Sequence, residues 1–99
     1  CPQERLDTVS AEITEKTGSA CMGVRGDCTK VAEVKAVIDA TVAKHGRIDA
    51  LFNNAGYQGS FKPVHEYPDE DFPRVMAINV EGVFYFMKYC AIQMKNQEP

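Results

Sequence analysis

The alternation of element types along the chain is the feature that most constrains its fold. The apolar periodicity and the turn residues predict a helix over 4–17, a strand over 19–26, a helix capped by Thr29 and ended by Gly46, a strand over 48–53, an ordered loop over 54–68 and a long helix from about 70 to 97. Helices and strands that alternate in this way are typical of an α/β protein with a parallel sheet. We therefore expect an α/β fold.

The predicted strands are too few to form a sheet by themselves. A parallel sheet needs cover on both faces and more than two strands. The chain has no initiator Met and begins at Cys1, inside a polar helical pattern. We therefore expect residues 1–99 to be the central part of a single domain, read from a longer frame.

The predicted long helix is apolar on two faces. The expected core face contains Phe72, Val75, Met76, Asn79, Val80, Val83, Phe84 and Met87. A second face carries Ile78, Tyr85, Phe86, Tyr89 and Ile92. A helix of this kind is buried on both sides, either inside a larger domain or across a subunit interface. Pro73 is tolerated if it lies in the first turn, where its missing N–H has no partner to lose.

Charge and composition exclude several classes of protein. Eleven Lys and Arg against 14 Asp and Glu give a net charge of −3 with mixed signs, which argues against nucleic-acid binding. A hydrophobic share of 44% with 25% charged residues is typical of a folded cytosolic chain. No apolar run approaches the roughly 20 residues that span a bilayer. We expect a cytoplasmic protein without a membrane or nucleic-acid partner.

The cysteines do not predict a metal site. The four cysteines have no C-x-x-C spacing, and the chain has only two histidines. We expect four free thiols in a reducing compartment.

Polar residues follow both predicted strands, where ligands bind in open α/β sheets. Asp27 either caps the next helix or accepts a hydrogen bond from a ligand amino group. Asn53 and Asn54 end the second strand, where buried amides need partners for oxygen and nitrogen. Ala55 and Gly56 fit either a turn with positive φ at the glycine or a cofactor lying over a bare strand end.

Asn79 is the third unusual position, because it lies in an apolar helical stretch over 76–80. Asn is a poor residue for a helix interior, since its side chain competes for backbone groups. It is either a satisfied core amide that fixes packing, or part of a catalytic network or a local kink.

The three motifs occur in a fixed order at about equal spacing: Asp27-Cys28-Thr29, Asn53-Asn54-Ala55-Gly56 and Asn79-Val80-Glu81-Gly82. This trio strongly resembles the short-chain dehydrogenase/reductase family over essentially the whole chain. The segments 53–59 and 64–68 are most similar to polyol or sugar-alcohol dehydrogenases of that family. The resemblance implies a Rossmann-like, doubly wound parallel sheet, in which the two strands here are the third and fourth and do not touch. We therefore expect that residues 1–99 alone cannot form the native sheet.

The resemblance also implies a site for NAD or NADP. The implied cofactor-binding residues are Asp27, Cys28, Asn53, Asn54, Ala55 and Gly56. Asp27 would bond the adenine amino group, with the backbone N–H of Cys28 beside the same ring. Asn53 would brace the central sheet, while Ala55 and Gly56 would leave room for a ribose.

By the same resemblance, Asn79 is the catalytic Asn, which in the family holds a helix kink and supports a water connected to the active-site Lys. The catalytic Ser, Tyr and Lys and the glycine-rich phosphate turn are absent from residues 1–99. The long helix would be half of the helix pair through which family members form homodimers and homotetramers.

The implied function is that of an oxidoreductase, which transfers a hydride between NAD(P) and a secondary alcohol or ketone, with residues 1–99 inactive alone. The alternative is a non-catalytic member that keeps the dinucleotide-binding scaffold or serves as a subunit interface.

Overall fold

Helices account for all the regular secondary structure of the chain. The computed structural model describes residues 1–99. Its elements are α1 (Gln3–Thr17), α2 (Val31–His45), a 3-10 turn (Val64–Glu66), α3 (Asp71–Met76), a π-turn (Ala77–Glu81) and α4 (Gly82–Lys95). The last three follow one another without a break and are called the long helix here. Pro73 lies in its first turn, the position at which proline is tolerated.

The first two helices end where the sequence predicts. Gly18 and Gly46 adopt left-handed φ values of 74° and 84°, and their amides bond back to the last turn of α1 and of α2. The predicted cap at the start of α2 is wrong. Its N-cap is Lys30, with no side-chain cap hydrogen bond. The Thr29 hydroxyl instead donates a hydrogen bond to Oδ1 of Asp27, at 2.7 Å.

The predicted strands over 19–26 and 48–53 are absent, so the parallel sheet is not formed. A strand exists only where its backbone bonds to a neighbouring strand, and neither segment has one. Side chains take the place of that neighbour. Gln97 accepts from the Ile48 N–H at 3.1 Å and donates to the Ile48 carbonyl at 2.6 Å. Gln3 does the same for segment 19–26, donating to the Gly23 carbonyl at 2.9 Å and accepting from the Arg25 N–H at 3.2 Å.

The long helix packs on α2 through its second apolar face. The buried apolar core consists of Val34, Ile38, Ile48 and Cys90, with Val42, Tyr85, Phe86, Tyr89 and Met94 packed around it. The face expected to form the core is largely exposed. It forms a stripe of Phe72, Met76, Val80, Phe84 and Met87, each 39–60% exposed. Burial on both faces is therefore not observed, because nothing in this chain covers the stripe.

The radius of gyration reflects this small core. It is 16.1 Å, against about 13 Å for a compact domain of this length. Only 6 of the 99 residues are buried. Most of the apolar surface that the sequence periodicity assigns to a core is thus exposed to solvent in this chain.

One helix, Asp71–Lys95, is long and apolar enough to cross a membrane by length and composition, with a mean hydropathy of 1.3 in its most apolar window. Polar residues interrupt it, so it contains no uninterrupted apolar run of spanning length. Core helices of soluble proteins meet the same criteria, so this property alone carries little weight.

Candidate functional site

The centre of the site is a reciprocal pair of hydrogen bonds between Asn79 and Tyr57. The Asn79 side-chain amide donates to the Tyr57 carbonyl at 2.7 Å. The Tyr57 N–H donates to Asn79 Oδ1 at 2.8 Å. Both ends of the amide are thereby used on one backbone residue, which directly follows the Asn-Asn-Ala-Gly segment. The long helix and that segment are joined at this point.

The helix changes its geometry at Asn79. Asn79 lies in the π-turn Ala77–Glu81, and the Gly82 N–H donates to the Ala77 carbonyl, five residues back. Single π-turns inside α-helices are frequent at functional sites. The structure therefore has a helix irregularity at the residue for which the resemblance implies a kink, while the catalytic role of Asn79 stays a prediction.

Asn53 and Asn54 differ in their surroundings. The Asn53 amide donates to the Val83 carbonyl at 2.9 Å and so ties segment 48–53 to α4. Asn54 is exposed, and its side chain takes part in none of the chain's hydrogen bonds. The implied brace at Asn53 thus runs to a helix rather than to a sheet.

Gly56 does not form the positive-φ turn that was one interpretation of the sequence, because its φ lies outside the left-handed region. A Cβ built at Gly56 would meet only Asn79 Oδ1, at an ordinary 3.7 Å. The packing of this chain therefore does not require glycine at this position.

Apart from Asn53, these residues line one open cleft of about 820 Å³. Its lining residues are Asn54, Ala55, Gly56, Tyr57, Gln58, Phe61, Val75 and Asn79. Two of the three sequence motifs meet here. Four of the seven predicted site residues contribute to the lining.

Asp27 borders a separate cavity of about 370 Å³, together with Arg25, Lys30 and Glu33 among others. Its Oδ1 accepts from the Thr29 hydroxyl at 2.7 Å and from the Thr29 N–H at 2.9 Å. These bonds, led by that from the hydroxyl, lower the pKa of Asp27. Asp27 therefore closes a local turn instead of capping α2, and it is ionised at neutral pH.

Cys28 connects this first motif to the long helix. A Cβ at Gly82 would lie 2.6 Å from Cys28 Sγ and 3.2 Å from the Cys28 carbonyl oxygen. The close contact therefore requires glycine at the end of the Asn-Val-Glu-Gly motif. Burial, with Asp27 beside it, raises the pKa of the Cys28 thiol. The sequence pattern alone did not predict this contact of Gly82 with Cys28. The only signal in the sequence is that Gly82 ends the motif Asn79-Val80-Glu81-Gly82.

A carboxylate that no sequence motif marks, Asp71, lies at the start of the long helix. Asp71 Oδ2 accepts from the Ser60 N–H at 2.7 Å, from the Ser60 hydroxyl at 2.9 Å and from the Tyr67 hydroxyl at 3.3 Å. Asp71 Oδ1 accepts from the Tyr57 hydroxyl at 3.1 Å. The Arg74 guanidinium stacks over the Tyr57 ring at 4.6 Å.

The pKa values of this cluster shift in opposite directions. The hydrogen bond from the Ser60 hydroxyl, with its companions, lowers the pKa of Asp71. The bond to that carboxylate raises the pKa of Tyr57, because the phenol must keep its proton to donate. At neutral pH the Asp71 carboxylate is thus ionised and the Tyr57 phenol keeps its proton.

A family model of short chain dehydrogenases matches residues 2–99. An uncharacterized oxidoreductase of Thermotoga maritima is 38% identical over 88 residues, which are 89% of this chain and 34% of that protein. Levodione reductase of Leifsonia aquatica is 33% identical over 95 residues, which are 95% of this chain and 36% of that protein.

Solved structures agree with these matches. NAD+-bound xylitol dehydrogenase superposes with a TM-score of 0.87 at 43% identity, over 94% of this chain and 35% of that one. The structures it resembles are Rossmann-fold proteins. The chain spans about a third of the length of the curated relatives it matches. The family model and these relatives together establish that the chain belongs to the short-chain dehydrogenase family.

Proposed function

We propose that the full-length protein is an NAD(P)-dependent oxidoreductase that transfers a hydride between the cofactor and a secondary alcohol or ketone. Residues 1–99 form the central part of its single NAD(P)-binding domain. The observation that carries this proposal is the reciprocal bonding of Asn79 to Tyr57, which joins two family motifs at one cleft. No observation favours a non-catalytic scaffold.

The cleft fits the cofactor that the family implies. Ala55 and Gly56 present little side-chain bulk to it, and the space above Gly56 is open to a ligand. Asp27 provides an ionised carboxylate at the second cavity, where Oδ2 accepts no hydrogen bond from the chain. That oxygen is free to accept from an amino group such as that of adenine. When bound, the nicotinamide supplies the hydride donor or acceptor.

Asn79 acts in this proposal by fixing the cleft. Its side chain has one donating and one accepting end, and both are bonded to Tyr57. It therefore holds the residue after Gly56 in place, next to the π-turn. Preorganised walls of this kind orient reactants before the chemical step.

We extend the proposal to a polyol or sugar alcohol as substrate. The xylitol dehydrogenase whose structure matches is 43% identical to this chain. Gln58 is exposed at the cleft, and its amide can both donate to and accept from hydroxyl groups. A substrate rich in hydroxyls matches that chemistry.

Turnover of the full-length protein tests this function. We expect reduction of NAD+ or NADP+ when xylitol or sorbitol is supplied, followed by the absorbance of the reduced nicotinamide. A simple secondary alcohol and an aldose serve as comparison substrates. Absence of turnover with every alcohol and with both cofactors would reject the oxidoreductase.

Gly56→Ala gives a prediction specific to cofactor binding. We expect the free energy of unfolding to stay unchanged or to rise by up to about 1 kcal/mol, since the chain has room for the methyl group. We expect NAD(P)H to bind about tenfold more weakly, because the methyl group enters the cleft. Fluorescence titration with NADH and NADPH and urea denaturation measure the two effects.

Gly23→Ala is the matched control for Gly56→Ala. Its new Cβ would lie 2.7 Å from Leu6 Cβ and 3.0 Å from the Leu6 carbonyl oxygen, and neither residue lines the cleft. We expect it to lower stability and leave the affinity of the folded protein unchanged. Unchanged affinity in Gly56→Ala would contradict the placement of the cofactor.

The exposed stripe on the long helix supports a further part of the proposal, assembly as a homodimer or homotetramer through this helix. Its five large apolar side chains are open to solvent in the single chain.

We also propose a cytoplasmic location, in keeping with four free thiols. Sedimentation of the full-length protein and cell fractionation test these two points.

A further inference from the structure

We infer that Asp71 is a positioning residue that holds the loop Tyr57–Ser60 against the long helix and thereby sets the KM for the alcohol. The inference rests on the proposed function for its kinetic part. Its structural part, that Asp71 fixes the loop, stands on the hydrogen bonds of this chain alone.

The hydrogen bonds converge on one carboxylate from both ends of the loop. Tyr57 donates to Oδ1, and the Ser60 N–H and hydroxyl both donate to Oδ2. Tyr67 adds a further donor from the segment before the helix. Charge-assisted hydrogen bonds of this kind are stronger than neutral ones. The only residues between the two anchored ends are Gln58 and Gly59.

The anchored loop and the residue that follows it carry two side chains that line the cleft. Gln58 is exposed, and Phe61, directly after Ser60, is 85% exposed, yet both line the cleft. Gln58 takes part in none of the chain's hydrogen bonds. Its position over the cleft therefore depends on the backbone around it, and Asp71 fixes that backbone.

Asp71 and Asn79 hold the same tyrosine in different ways. Asn79 binds the backbone of Tyr57, beside Gly56, while Asp71 binds its hydroxyl and the Ser60 end of the loop. The two residues should therefore affect different kinetic constants. Loss of Asn79 disturbs the π-turn and the cofactor side of the cleft, and loss of Asp71 frees the side that Gln58 and Phe61 form.

The test compares Asp71→Asn with Asp69→Asn in the full-length protein. Asp69 is an exposed carboxylate two residues earlier that receives none of the chain's hydrogen bonds, so it controls for loss of charge. Asn at position 71 keeps the shape but removes the charge, and its NH2 group replaces one of the two oxygens that now accept hydrogen bonds. We expect KM for the polyol to rise about tenfold, with kcat within about twofold and an unchanged Kd for NAD(P)H. We also expect faster amide hydrogen exchange over 57–61.

The outcomes separate the inference from the proposed function. Unchanged exchange over 57–61 in Asp71→Asn overturns the inference, and so does faster exchange with an unchanged KM. An equal effect of Asp69→Asn also overturns it. If the wild-type protein oxidises no alcohol, the proposed function fails, and the exchange comparison then decides whether Asp71 holds the loop. Ser60→Ala removes only one of the four bonds, so it gives a milder change in the same direction if Asp71→Asn does not fold.

Discussion

Replacing Asn79 by Ala in the full-length protein is expected to lower kcat about 100-fold or more. The substitution leaves the Tyr57 N–H and carbonyl without the partners that now lie at 2.8 and 2.7 Å. The cleft wall after Gly56 then loses its tie to the long helix, and the π-turn loses the side chain at its centre. Steady-state kinetics with NAD(P)+ and the best alcohol measure the effect.

Asn96→Ala is the matched control for this loss. Asn96 is an exposed asparagine at the end of the same helix, away from the cleft. We expect it to keep kcat within about twofold of wild type. Thermal unfolding of both variants separates a kinetic effect from a loss of structure. A kcat for Asn79→Ala equal to that of Asn96→Ala would mean that Asn79 does not organise the site.

Gly59→Ala is expected to lower the free energy of unfolding by about 2–4 kcal/mol, from left-handed backbone strain and overpacking together. Gly59 has a φ of 75°, and its new Cβ would collide with the Tyr67 hydroxyl and lie 2.7 Å from Val75 Cγ2. It would also lie 3.1 Å from Asp71 Oδ2. Urea denaturation of the full-length protein gives the change in free energy.

Gly46→Ala divides this effect into its two causes. Gly46 has a similar φ of 84°, but a Cβ there would meet nothing within 4 Å. We expect only the strain of the left-handed backbone, about 1–2 kcal/mol. The additional loss of unfolding free energy in Gly59→Ala, compared with Gly46→Ala, then measures how tightly the loop packs on the helix. Equal losses in both variants would show that the loop is not tightly packed.

Features that depend on local chemistry were predictable from the sequence. Gly18 and Gly46 end their helices because a left-handed residue closes the last turn. Asn79 stands out in the sequence because a polar residue is unusual inside an apolar helical stretch. Both kinds of signal need only a few neighbouring residues.

Features that depend on distant partners were not predictable from the local sequence pattern alone. The apolar pattern of 19–26 and 48–53 indicates burial in a sheet, but pattern alone does not supply the neighbouring strands. Neither segment forms a strand in this chain. The chain as a whole still superposes on xylitol dehydrogenase with a TM-score of 0.87. Asp71 had the sequence signature of an ordinary acidic residue in a first helical turn. Its role depends on Tyr57 and Ser60, 14 and 11 residues earlier.

A crystal structure of the full-length protein with bound NADH or NADPH tests the central claim most directly. We predict that residues 19–26 and 48–53 become strands of one parallel sheet and that the cofactor passes over Ala55 and Gly56. We also predict that the Asn79 amide stays bonded to the backbone of Tyr57. A cofactor bound away from this cleft, or an Asn79 side chain that has left Tyr57, would contradict the account.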